Sequence, residues 1–92
     1  MTTLAGELEA RLRAALEPVS LSVRDDSAAH AGHAGARDGA HFAVHIVSGR
    51  FAGLPMLQRH RLVYDAAAPL MAGRIHALQI SAKTPQEETG DR

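Results

Sequence analysis

The chain contains no cysteine and no tryptophan. Disulfides are therefore excluded, and so is any thiolate site supplied by this chain alone. A soft metal centre would have to draw its thiolates from another molecule. Aromatic residues make up only 3% of the chain: Phe42, Phe51 and Tyr64. The core must be assembled from Leu, Val, Ile and Ala, and few rings are left for stacking on bases. Net charge is absent too, with 10 Lys and Arg against 10 Asp and Glu. A dedicated nucleic-acid binder is usually basic. No apolar stretch approaches the ~18 residues needed to span a bilayer. Met1 to Glu9 carries acids where a signal peptide needs an apolar run. The expectation is a cytoplasmic chain without membrane association.

The chain has 92 residues, 46% of them hydrophobic, which suits one small globular domain. A domain of this size buries a modest core and has a thin stability margin. Its one chemical surplus is six histidines: His30, His33, His41, His45, His60 and His76.

Thr3 to Glu17 reads as a helix, because Leu4, Leu8, Leu12 and Leu16 recur every four residues. Glu7 with Arg11 and Glu9 with Arg13 are favourable i,i+4 pairs. Thr2 or Thr3 can cap its start, and Pro18 ends it. Val19 to Asp26 reads as a strand, with Val19, Leu21 and Val23 alternating with polar residues. Ser27 to Gly39 is a loop carrying three glycines and two histidines. Ala40 to Ser48 is a second strand, with Phe42, Val44 and Ile46 on one face and His41, Ala43 and His45 on the other. Its direct connection to the first strand favours antiparallel pairing.

Gly49 to Pro55 turns the chain. Met56 to about Ala68 reads as a helix whose Met56, Leu62, Val63 and Tyr64 pack in the core. Pro69 is expected to interrupt it, with a further helical turn through Leu70 and Met71 ending at Gly73. Arg74 to Ala82 is a third strand, with His76, Leu78, Ile80 and Ala82 on one face. Thr84 and Pro85 begin a short helix or a tail. The domain is placed at residues 1–85 and a polar tail at 86–92. Phe51, Leu54 and Pro55 form either an apolar edge or a staple onto the core. The predicted class is α/β in the α+β sense: order α-β-β-α-α-β, with a three-stranded mixed sheet. The helical connection makes strands two and three parallel through a right-handed crossover, with helices on one face.

This topology has a geometric consequence for the histidines. His41 and His76 begin two parallel neighbouring strands, so both lie at one end of the sheet. The loop bearing His30 and His33 leaves from that same end. His45 lies roughly 13 Å along its strand, at ~3.3 Å per residue. His60 belongs to a helix elsewhere. Neutral imidazole is a good ligand for zinc, iron and copper. One or two such ligands can complete a centre whose other ligands come from a partner. A closed structural zinc site is not expected without cysteine.

Several blocks now resemble the BolA family. They are Asp25-Asp26-Ser27 with His30-Ala31-Gly32-His33, then His41-Phe42, Val47-Ser48 and Phe51-Ala52-Gly53. Arg59-His60-Arg61-Leu62-Val63-Tyr64, Ile75-His76-Ala77-Leu78 and Thr84-Pro85 follow in order. The resemblance runs from about Leu4 to Pro85. It implies a fold like the class II KH domain. It also implies a heterodimer with a monothiol glutaredoxin that shares a [2Fe–2S] cluster. The glutaredoxin's cysteine and a bound glutathione give thiolates, and the BolA-like chain gives histidine. The family's ligand histidine matches His76, and the second ligand comes from His30, His33 or His41. No cofactor is implied for the chain by itself. Histidine in place of thiolate raises the cluster's potential and makes ligation pH-sensitive.

The alternative function is a DNA-binding regulator of transcription, stress response and cell shape. Arg59, His60, Arg61, Arg74 and Lys83 would form its basic patch. Gly32-His33-Ala34-Gly35 matches the GXXG letters of KH domains, but it sits between strands and not between helices. Catalysis is not expected. There is no cysteine nucleophile, and no serine pairs obviously with a histidine and an acid.

Overall fold

A computed structural model describes residues 3–26 and 40–90. His30, His33 and the GXXG-like letters lie outside the described residues. Helix α1, Leu4–Leu16, starts where the Thr3 side chain accepts a hydrogen bond from the Gly6 N–H. It buries Leu8, Leu12 and Leu16, as the four-residue repeat predicts. It ends at Glu17, whose left-handed backbone closes the last turn onto the Arg13 carbonyl. Arg13 pairs with Glu9 at 2.8 Å, while Glu7 reaches across to Arg74 instead of pairing with Arg11.

Strand β1 is Ser20–Asp25 and strand β2 is Ala40–Val47, paired antiparallel from Ser20 opposite Val47 to Asp25 opposite Phe42. Val19 falls outside the strand and is exposed, contrary to its predicted place on the buried face. A short 3-10 turn, Gly49–Phe51, follows β2. Its cap, Ser48, is fully buried and donates its hydroxyl to the Leu16 carbonyl at 2.6 Å. That bond ties the end of α1 to the end of β2. Phe51 is the staple and not an edge, because its ring is wholly buried.

Helix α2, Met56–Met71, runs straight through Pro69. The predicted interruption and separate second helix do not occur. Pro69 lies two residues before the end of the helix, so only the carbonyl of Asp65 loses a donor, and Asp65 is exposed to water. Leu70 is buried and holds the last turn on the core. The helix buries Arg59, Val63, Ala67 and Leu70. Met56 and Tyr64, expected in the core, are exposed, with the Tyr64 hydroxyl donating to the Leu78 carbonyl at 3.3 Å.

Strand β3, Ile75–Lys83, pairs parallel with β2, giving the order β1-β2-β3. Helices α1 and α2 pack on the sheet face that carries Phe42, Val44, Ile46, Leu78 and Ala82. Helix α3, Pro85–Thr89, starts with a capping box between Thr84 and Glu87. The polar stretch from Gln86 belongs to this helix as far as Thr89.

Candidate metal-ligating histidine pair

Regular alternation along β3 would put His76 in the row of Leu78, Ile80 and Ala82, beneath the helices. It does not lie there. Ala40 pairs with Ile75, and the next residue, His41, pairs with Ala77. His76 is therefore one extra residue on β3, a β-bulge. Ile75 keeps its place in the core at 3% exposure, and His76 turns out to solvent. On β2, His41 also points away from the covered face. The two imidazoles meet with ring centroids 5.2 Å apart and planes inclined by 48°. At metal–nitrogen distances of about 2.0–2.1 Å, two imidazoles on one tetrahedral ion have centroids roughly 5 Å apart. The pair thus fits a centre that takes nitrogen from this chain and its remaining ligands from elsewhere. Among the described residues no group of three or more His, Cys, Asp or Glu is gathered for a metal.

The end of β1 lies beside this pair. The Asp26 N–H donates to the His41 carbonyl at 2.7 Å, and the Arg24 guanidinium grips the Asp26 carboxylate at 2.7 and 3.1 Å. That carboxylate holds Arg24 above its ordinary pKa.

The predicted basic patch is dispersed. Arg59 is 7% exposed. Its guanidinium donates to the Leu54 carbonyl at 2.8 Å and the Ala82 carbonyl at 3.2 Å. It also makes a bidentate pair with Glu87 at 2.6 and 3.0 Å. This pairing holds Glu87 well below the carboxylate range, at about 2, with help from the Thr84 N–H. The hydrogen bonds that Arg59 donates to Glu87 also raise the pKa of Arg59. Arg59 is therefore an internal strut and not a nucleic-acid contact. Arg74 is paired with Glu7, and Lys83 lies 3.9 Å from Glu88. His60 is half-buried, and Arg61 is exposed on α2.

The family model for BolA-like protein matches residues 12–87. This chain belongs to the BolA-like family. It is 48% identical over 87 residues to BolA-like protein 1 of Mus musculus, covering 90% of this chain and 62% of that one. It is 41% identical over 83 residues to the DNA-binding transcriptional regulator BolA of Escherichia coli, covering 90% of this chain and 77% of that one. The solved structure of BolA1 from Arabidopsis thaliana superposes with a TM-score of 0.82 at 38% identity, over 95% of this chain and 98% of that one. The chain spans 54–62% of the length of the first BolA-like relatives it matches.

The BolA-like sheet also holds a group that the sequence pattern missed. His45 sits between two serines of the open sheet face, opposite Ser22 on β1 and Ser81 on β3. Its Nδ1 lies 3.1 Å from the Ser81 hydroxyl, and its Nε2 lies 3.1 Å from both carboxylate oxygens of Glu88. Only the parallel register, which sets β2 position 45 against β3 position 81, brings these residues together.

Proposed function

We propose that this chain partners a monothiol glutaredoxin and contributes histidine to a shared [2Fe–2S] cluster. The observation that supports this is the bulge that turns His76 out of the core row to face His41. A bulge leaves one residue unpaired in the ladder, and bulges concentrate where a side chain must be re-aimed. His76 is the solvent-facing member and the proposed first ligand. The second comes from His41 or from His30 or His33 in the β1–β2 connection. When bound, such a cluster supplies one-electron chemistry at a potential raised by histidine. The chain's own part is to hold imidazole nitrogen at the rim of a rigid sheet and to leave the thiolates to its partner. The protein is proposed to work in the cytoplasm as a binding module for cluster trafficking or iron sensing.

A second reading has one specific support: the E. coli relative is named a DNA-binding transcriptional regulator. Against it stand zero net charge and the internal engagement of Arg59.

The test is reconstitution with a monothiol glutaredoxin, glutathione, iron and sulfide, followed by visible absorption and circular dichroism. The expected result is a heterodimer spectrum distinct from that of the glutaredoxin homodimer and lost in His76→Ala. A spectrum that never departs from that of the glutaredoxin overturns the proposal and moves DNA binding to first place.

A further inference from the structure

The open face of the sheet carries a shallow cleft of about 320 Å³, lined by Ser22, Arg24, His45, Gln79 and Ser81 among others. It lies along β2 from the His41–His76 pair and takes no part in the proposed cluster site. Within it the hydrogen-bond chemistry fixes a direction. An ionised carboxylate only accepts hydrogen bonds. Glu88 faces Nε2 of His45 with both oxygens at 3.1 Å, so the imidazole proton sits on Nε2. In the neutral ring, Nδ1 is then the lone-pair nitrogen, and it lies 3.1 Å from the Ser81 hydroxyl. Ser81 therefore donates to a base whose far side is oriented by an acid. Those are the roles of nucleophile, general base and orienting group, with the two ring nitrogens exchanged relative to the serine-protease arrangement.

We propose that Ser81, His45 and Glu88 form an acyl-accepting site on the open sheet face that takes small activated esters. The Ser81 Oγ attacks the acyl carbon while its proton passes to His45 Nδ1. The bond from the acyl carbon to the leaving oxygen breaks, and that oxygen leaves with the electron pair and takes the proton from His45. A water then adds to the acyl carbon as its proton passes to the same nitrogen, the Oγ–acyl bond breaks with its electron pair going to Oγ, Oγ takes the proton back from His45, and the carboxylic acid leaves. The balance is ester plus water giving acid plus alcohol. Gln79 lines the same cleft. Ser81 and His45 touch the reacting atoms, and Glu88 acts through His45 as a positioning residue.

Among the described residues the charged groups around His45 are few. Glu88 on α3 faces it directly and has Lys83 of β3 at 3.9 Å. Arg24 of β1 is held by Asp26. Ser22 is an internal control. It is the partner of His45 on the other side and makes no side-chain hydrogen bond to it among the described contacts.

The experiment uses the full chain and 4-nitrophenyl acetate, with release of nitrophenolate followed in time and the acetylated residue located by peptide mass spectrometry. The expected result is acetyl on Ser81 and not on Ser22. His45→Gln should lower Ser81 acetylation roughly 10²-fold. Glu88→Asp should keep more of the rate than Glu88→Ala, and Ser81→Ala should abolish the label. Matching thermal melts show that each variant is folded. Nitrophenolate release without labelled Ser81, as surface imidazoles alone produce, overturns the proposal. So does equal labelling of Ser22, or an unchanged Ser81 rate in folded His45→Gln.

Discussion

Replacement of Arg59 separates its structural role from the surface role the sequence suggested. In Arg59→Met the apolar stem survives and the guanidinium is lost. Two carbonyls, Leu54 and Ala82, lose N–H donors at 2.8 and 3.2 Å. Hydrogen bonds from charged donors contribute about 1.5–3 kcal/mol each. The bidentate contact with Glu87 adds less. The Glu87 side chain is 47% exposed, so water resolvates it, and the pair is discounted to about 0–1 kcal/mol. Removing the guanidinium also recovers part of its desolvation cost. The net loss is about 2–4 kcal/mol. For a chain of this length each kcal/mol moves Tm by roughly 4–8 °C, so the melt should fall by roughly 8–32 °C.

Thermal denaturation followed by far-ultraviolet circular dichroism at pH 7 measures this directly. Arg61→Met is the control, because it removes the same charge two residues away from an exposed position. It should change stability by no more than about 0.5 kcal/mol. A cycle with Glu87→Gln then apportions the loss. Most of it should persist in the Glu87→Gln background, because the two carbonyls remain. An Arg59→Met melt as mild as that of Arg61→Met would refute the strut. A loss that vanishes entirely in the Glu87→Gln background would refute the carbonyl contribution.

Glu87 gives a pH prediction. Its carboxyl is held at about 2 in the fold against an ordinary 4.5, first by the Arg59 guanidinium. A depressed native pKa stabilises fully above the unfolded value and loses that contribution as pH falls through the native one. Urea midpoints should therefore decline between pH 4.5 and about 2, and Glu87→Gln should flatten that window. A decline of equal slope in both proteins would assign the acid sensitivity to other groups. Phe51→Ala removes a wholly buried ring and should cost about 3–5 kcal/mol by urea unfolding, where a loss under about 1 kcal/mol would place the ring outside the core.

The sequence made most of the frame legible. The leucine repeat of α1 and the alternation in β2 each fix one face, because side-chain period follows backbone geometry. The connection between the second and third strands predicted their parallel pairing. The phase of α2 was harder to read. Its buried stripe is Arg59, Val63, Ala67 and Leu70, and it opens with a charged residue. Hydropathy alone shifts that stripe toward Met56 and Tyr64, which the structure leaves exposed. Arg59 is buried because partners distant in sequence, Ala82 and Glu87, satisfy it. No local window contains that information.

The histidine pair shows the same limit more sharply. Strand polarity alone places His41 and His76 at one end of the sheet. Strict alternation then puts them on opposite faces, His41 with His45 and His76 with Leu78. Both statements are sound inferences, and together they forbid the pair. A single inserted residue reconciles them, since Ile75 holds the core position and His76 takes the open face beside His41. Ile75 is the cause that can be named: were His76 to occupy the covered row, alternation would turn Ile75 out to solvent. Burying a β-branched aliphatic side chain is worth roughly 1.5–3 kcal/mol. An imidazole under the helices would lose water without a matched partner. Both terms favour the bulge, so the fold's preference for an apolar core is what presents His76 to a ligand.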